Sequence, residues 1–322
     1  MTPQPRITPA SWAMVALLAF VWGGTFLVTE IALTGMTPFW VAASRVGFAA
    51  VVMAAVWSLR GFALFAAPPA RRDLVALVTI GAVSSAVPFA LLAWGQQYVT
   101  SGFAGVSMAS VALIVLPLAH FFVPGERLTP RRGIGFVIGF AGVVVLIGAQ
   151  AFDSTGTALE TPGRIACVAA AGCYAVGSIL MRRLPSVDPI GLASVLLIIG
   201  AFFSLPLALA VEGVPPVPEG DILWVVAFLG LIPTAAANFL RVLVVRSAGP
   251  VFMSLVNYQV PVWSVVLGAA ILSEPLPPSL IWAMGLILIG VAVSQYGALR
   301  RLFGSKRSGP ADTAAAPNRA DA

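Results

Sequence analysis

Residues 188–211 read DPIGLASVLLIIGAFFSLPLALAV, a run with one charged residue, Asp188, at its start and none after it. A helix needs about 20 predominantly apolar residues to cross a hydrocarbon core roughly 30 Å thick, and this stretch suffices. The same pattern recurs on both sides. Apolar runs over residues 12–34, 38–59, 73–94, 102–123 and 133–150, then 163–181, 188–211, 221–244, 249–272 and 278–298, predict ten transmembrane helices. Turn-forming or charged clusters separate them, such as Thr34-Gly35-Met36-Thr37-Pro38, Ala67-Pro68-Pro69-Ala70-Arg71-Arg72 and Pro124-Gly125-Glu126.

The whole chain agrees with its most apolar part. Of 322 residues, 59% are hydrophobic and 9% charged, and the mean hydropathy is +0.99. Soluble domains carry roughly 25% charged residues, so a water-soluble fold is excluded. A membrane barrel would alternate apolar and polar residues in strands of about ten, and no such alternation is present. The expected fold class is all-α integral membrane. The first run follows Arg6 and continues to Leu33, too long for the 7–15-residue apolar core of a cleaved signal, so it is expected to stay as helix 1.

Cationic residues set the expected orientation. With a cytoplasmic N-terminus, fifteen fall on inner segments: Arg6, Arg60, Arg71, Arg72, Arg127, Arg131, Arg132, Arg182, Arg183, Arg246, Arg300, Arg301, Lys306, Arg307 and Arg319. Outer loops hold Arg164 alone, together with the acids Asp153, Glu160, Glu212, Glu219, Asp221 and Glu274. Both termini are therefore expected in the cytoplasm. The formal charge of +6 is explained by orientation and anionic lipid, and no nucleic-acid partner is expected. The excess of Arg over Lys and the abundance of Ala point to a bacterial inner membrane.

The two halves of the chain resemble each other. At an offset of 148, Glu126 pairs with Glu274, Leu128 with Leu276, Pro130 with Pro278, Gly142 with Gly290, Val143 with Val291 and Val145 with Val293. At 144, Gly105 pairs with Gly249, Ser110 with Ser254 and Pro117 with Pro261, and fainter matches join Trp22 to Tyr174, Pro38 to Pro189 and Gly81 to Gly230. The expected organisation is a cytoplasmic segment 1–11, a first repeat 12–150, an external linker 151–162, a second repeat 163–298 and a disordered cytoplasmic tail 299–322. Five helices per repeat is an odd number, so the second copy enters the membrane from the opposite side. Inverted halves supply two packings of nearly equal energy, the physical basis of alternating access.

Particular motifs add a resemblance. They are Trp22-Gly23-Gly24-Thr25-Phe26, Trp94-Gly95-Gln96-Gln97-Tyr98, Pro117-Leu118-Ala119-His120 leading to Pro124-Gly125-Glu126-Arg127-Leu128, and Gly139-Phe140-Ala141-Gly142-Val143. The second half adds Ala248-Gly249-Pro250, Ser254-Leu255-Val256-Asn257-Tyr258 and Leu272-Ser273-Glu274. In this order they resemble the drug/metabolite transporter superfamily, specifically its EamA-type ten-helix members. The resemblance implies export of small amphipathic metabolites, often amino-acid-like, through a central cavity lined by helices 1, 3, 4, 6, 8 and 9, with helices 5 and 10 peripheral. An uncoupled facilitator and a cationic-drug exporter are the alternatives. The expected partners are a small-molecule substrate and the bilayer, with no cofactor, and monomer and homodimer both fit.

Candidate solute-lining residues follow from polarity inside apolar spans. Asn257, Tyr258 and Gln259 occupy about 200° of helix 9 and cannot all face lipid, and they are read either as cavity lining or as interhelical glue. Trp22, Trp94, Tyr174 and Tyr258 combine apolar rings with a polar handle. Thr25, Ser110, Asn238 and Ser254 complete the candidate binding set. Pro117 and Pro261 are expected to bend helices 4 and 9 and free an upstream carbonyl. Gly23-Gly24 is read either as allowing close backbone approach or local unwinding, or as serving tight helix packing, and Pro88, Pro206 and Pro233 are read as shaping helices only.

Glu30 and Arg45 match in depth within about one turn, and are read either as an ion pair or, for Glu30, as a proton-coupling site. Cys167 and Cys173, six residues apart, are apolar packers that cannot bridge each other. Glu126 and Glu274 are expected to favour the helix N-termini that follow them. Clustered acid, base, nucleophile or metal ligands are missing from the sequence, so an enzyme is not expected.

Overall fold

A computed structural model describes residues 7–300, apart from 124–126, 149–157, 216, 219 and 298. Among these residues the chain forms ten helical rods. They are α1 (Pro9–Leu33), α2 (Pro38–Ser58), α3 (Arg71–Gly95), α4 (Ser101–Phe122), α5 (Pro130–Gly148), α6 (Glu160–Met181), α7 (Pro189–Glu212), α8 (222–248), α9 (250–272) and α10 (Pro278–Ser294). Eight are long and apolar enough to cross a membrane; the continuous part of α9 (Val256–Leu272) and α10 are shorter apolar helices. The turn at Pro124–Glu126, most of the linker 151–162 and the tail beyond 300 lie outside the described residues.

Local chemistry sets the rod ends. Pro at the first helical position, where no N–H is needed, starts α1, α2, α7 and α10. Asp188 caps α7 by accepting from the Ile190 and Gly191 amides at 3.1 and 2.9 Å. Glu212 reaches across to the start of α2, accepting from the Thr37 hydroxyl and the Phe39 and Trp40 amides.

The rods pair according to an approximate two-fold relation. α5 packs along α10, and α2 along α7. α1 leaves its own half to pack on α8 and α9, while its counterpart α6 packs on α3 and α4. Small residues permit these approaches. A Cβ on Gly290 would meet the backbone of Gly139 and Gly135, and one on Gly23 would meet Trp263 and the Val260 carbonyl. Gly23 therefore serves tight helix packing, and α1 is helical through Gly24 without unwinding.

Four of the rods are irregular, at related places. α3 contains a π-helical turn at Ala82–Ala86, and α8 one at Gly230–Ala236. α4 is interrupted at Ala109, between Ser101–Met108 and Ser110–Phe122; α9 is interrupted between Pro250–Met253 and Val256–Leu272. Both interruptions adjoin the paired serines Ser110 and Ser254. Pro117 and Pro261 lie seven residues further on, inside unbroken helix. The Ser110 hydroxyl donates to the Ser107 carbonyl at 2.5 Å, a local bond that competes with the backbone ladder.

Two expectations about charge need correction. Arg164 is not an outer-loop residue: it lies inside α6, 1% exposed, paired with Glu160 one turn earlier and donating to the Ile147 carbonyl at 3.1 Å. Because α6 starts at Glu160, the last residues of the expected linker are helical. Glu274 does not serve the helix that follows it. Ser273 adopts a left-handed conformation (φ 54°), and the Glu274 carboxylate accepts from the Ser101 and Gly102 amides at 2.8 and 3.0 Å, capping α4 instead.

Candidate functional site

Toward the Leu33 end of α1, the Pro38 end of α2 and the Gly95 end of α3, these three rods and Gln96, just past α3, enclose a small cavity lined by Thr25, Phe26, Thr29, Val41, Arg45, Phe89, Leu92, Ala93 and Gln96. It has room for about one water molecule. Its polar groups come from three helices and its walls from two phenylalanines, so a solute here meets both an apolar and a hydrogen-bonding surface.

Arg45 is the dominant group. It is 7% exposed, its Nε donates to the Thr234 hydroxyl at 2.9 Å, its Nη2 reaches the Thr25 hydroxyl at 3.4 Å, and its guanidinium carbon lies 4.2 Å from the Phe89 ring centre. Thr234 is held for this task by the π-turn of α8. Pro233 has no N–H for the Leu229 carbonyl, and the Thr234 hydroxyl donates to that carbonyl at 2.8 Å while accepting from Arg45. Two further groups bond the same turn: the Trp22 indole donates to the Pro233 carbonyl at 3.0 Å, and the Asn238 amide to the Thr234 carbonyl at 2.5 Å. Pro233 thus does more than shape its helix.

The expected Glu30–Arg45 ion pair is not formed. Arg45 reaches Thr25, five residues and about 7.5 Å of helical rise from Glu30, and turns toward α8. Glu30 is half-buried beside Gln96, whose Nε2 lies 3.5 Å from its carboxylate and 2.9 Å from the Phe26 carbonyl. Gln96 is 2% exposed.

Of the candidate lining residues, the structure places Thr25 on the cavity wall. Tyr174 stands behind it, edge-on to Phe89 with ring centres 6.4 Å apart. Trp22 and Asn238 support the π-turn. Trp94 stacks edge-on against Tyr98 at the end of α3, and Ser110 is buried with its proton given to its own helix. Ser254 is half-buried at the α9 interruption and Asn257 is exposed. Tyr258 packs against the main apolar core, with its hydroxyl buried and unpaired. Helix 2 lines the cavity through Val41 and Arg45, which the family resemblance did not imply. Gln96 and Phe89 were not singled out in advance; Gln96 had a usable signal, an amide at the edge of an apolar span, and Phe89 had none.

The EamA-like transporter family model matches residues 10–148 and 161–296, one copy in each half. An inner membrane transporter of Escherichia coli K12, YedA, described as uncharacterized, is similar at 27% identity over 306 residues, 94% of each chain. The aromatic amino acid exporter YddG of Ancylobacter novellus is 32% identical over 155 residues, 48% of this chain and 53% of that one. A solved crystal structure covering 90% of this chain and 99% of its own shares the fold, with a TM-score of 0.63 at 24% identity. With both halves matched by the family model, the chain belongs to the EamA-like transporter family.

Proposed function

We propose that this protein exports small amphipathic metabolites, amino-acid-like compounds among them, from the cytoplasm by alternating access. The observation that carries this reading is the cavity of Arg45, Thr25, Thr29, Gln96, Phe26 and Phe89, enclosed between three apolar rods of a two-copy transporter chain. The full topology belongs to the same proposal: ten crossings, inverted halves and cytoplasmic termini, supported by the distribution of arginines. In that orientation the end of the bundle at Ser101 and Glu274 is external. α4 and α9 pack together there, whereas the inner half of α4 packs on α6 and α5. Export of an organic cation is disfavoured by the buried Arg45.

Comparison of extracellular metabolites between a deletion strain and an overproducing strain tests the export reading; identical profiles would end it. Glu30, beside Gln96 at one end of the cavity, is the proposed proton-coupling group. In proteoliposomes under an imposed pH gradient, Glu30→Gln is expected to lose the gradient response while retaining exchange down a solute gradient. An unchanged response would favour the second reading, an uncoupled facilitator.

A further inference from the structure

We infer that Arg45 is the recognition point for a single carboxylate group of the solute, which narrows the substrate class to monocarboxylates with an apolar remainder. This rests on the transporter reading above. Three observations carry it.

The first is an unmatched charge. A guanidinium is always ionised and has five N–H donors. Two are used, on Thr234 and at longer range on Thr25, so three have no protein acceptor among the described residues. No carboxylate lies within ion-pair distance of Arg45 among those residues either. A cation removed from water without a counter-charge is strongly disfavoured in a membrane interior. The Phe89 face, 4.2 Å away, compensates only in part. The chain has built a positive charge into its cavity wall and left its neutralisation to something else.

The second is geometry. Thr234, Thr25 and Phe89 hold the guanidinium from three different helices, fixing its plane in advance. A fixed guanidinium fork is matched by the two oxygens of one carboxylate, in paired N–H···O bonds. The Thr25 contact, at 3.4 Å, is weak enough to be exchanged for a solute oxygen.

The third is the rest of the wall. Among the described residues Arg45 is the one cation lining the cavity, so it neutralises one negative charge; a phosphate monoester, carrying nearly two, would bring a second negative charge with no partner. Phe26, Phe89, Leu92 and Val41 offer apolar surface beside the charge, and Gln96 and Thr29 offer neutral hydrogen bonds. A carboxylate at one end and an apolar body is the solute that satisfies all of these.

The test uses full-length protein in proteoliposomes loaded separately with radiolabelled phenylalanine, phenylalaninamide, leucine, leucinamide and phosphoserine, for wild type, Arg45→Lys and Arg45→Met. Wild type is expected to move the two carboxylates about ten- to a hundredfold faster than their amides, the discrimination one charge-assisted pair supplies, and phosphoserine no faster than the amides. Arg45→Met should abolish that preference, and Arg45→Lys should restore it in part. Monodisperse elution in detergent shows that each variant is folded; should Arg45→Met fail it, the wild-type and Arg45→Lys selectivities decide. Equal rates for acids and amides, preference for phosphoserine, or full selectivity in Arg45→Met would overturn the Arg45 assignment and leave the transporter reading standing. Should none of the five be moved, the strain comparison above separates the two ideas: an exported set without carboxylates overturns the Arg45 assignment alone, and no exported solute at all overturns both.

Discussion

Substituting Glu274 by Gln should open the Ser101 end of the bundle, and the size of the effect follows from two hydrogen bonds. The carboxylate accepts from the Ser101 and Gly102 amides at 2.8 and 3.0 Å, at the N-terminus of α4 where the helix dipole favours negative charge. Charge-assisted bonds of this kind contribute about 1.5–3 kcal/mol each. Glu274 is half-buried, so the lower end of the range applies. Gln keeps the shape and one acceptor oxygen but loses the charge and turns an NH2 group toward one of the amides. A net loss of about 2 kcal/mol results, equivalent to a roughly 30-fold larger open population. Ser101 is fully buried and nearly isosteric with Cys, so Ser101→Cys in a Cys167→Ala, Cys173→Ala background reports opening by its rate of reaction with a membrane-impermeant thiol reagent. Applied to intact cells, the reagent should label the Glu274→Gln form about 30 times faster than its parent. Equal rates in two folded proteins would refute the latch, and labelling restricted to inverted vesicles would refute the proposed orientation.

Three further outcomes test the framework around the site. Gly290→Val should lower the melting temperature in detergent, because its side chain would meet the Gly139 and Gly135 backbone, which cannot move aside; overpacking costs about 1–3 kcal/mol or more. Gly285→Val, on the same helix with open space at its Cβ, should leave it unchanged. Trp22→Phe removes the donor to the Pro233 carbonyl and should cost about 1–3 kcal/mol in the same assay, with full stability counting against a role in holding the π-turn. At the start of α7, burial alone would raise the pKa of Asp188, but the Gly191 amide, the Arg60 guanidinium and the Ile190 amide outweigh it and hold the carboxyl below its ordinary value. Its stabilisation is therefore present above the unfolded value near 3.9 and fades as pH falls through the lower folded value. Asp188→Ala should cost about 0.5–2 kcal/mol at pH 7, and the gap from wild type should narrow below about pH 4; a gap independent of pH would contradict this.

The helices were legible because a charge-free run such as 189–211 has few other stable fates, and their expected ends lie within four residues of the observed ones. The relation between halves was legible in its glycines and serines. Gly81 immediately precedes the π-turn of α3 and Gly230 begins that of α8, while Ser110 and Ser254 mark the two interruptions. The solute-facing surface was much less legible, and the π-turns explain why. Each inserts a residue into the helix and rotates everything beyond it by about 100°, so a 3.6-residue period cannot be carried across residues 82–86 to predict that Phe89 and Gln96 face inward. The partner of Arg45 was hidden for a related reason. Depth along two helices can be counted from the sequence, but the choice between Glu30 on α1 and Thr234 on α8 depends on how the rods are rotated. Asn257 illustrates the converse: three successive polar residues could not all face lipid, but that did not require Asn257, which is exposed, to meet this cavity.

The exchange of α1 and α6 between halves bears on how the chain is made. Trp22 must wait for Pro233, 211 residues later in the sequence, and ribosomes add about 5–20 residues per second. For roughly 10–40 s, then, the nascent chain holds an inserted first helix whose partners do not yet exist. Neither copy of the family module can complete its own packing, so a gene cut between the copies would encode two fragments that mature only when translated in the same cell.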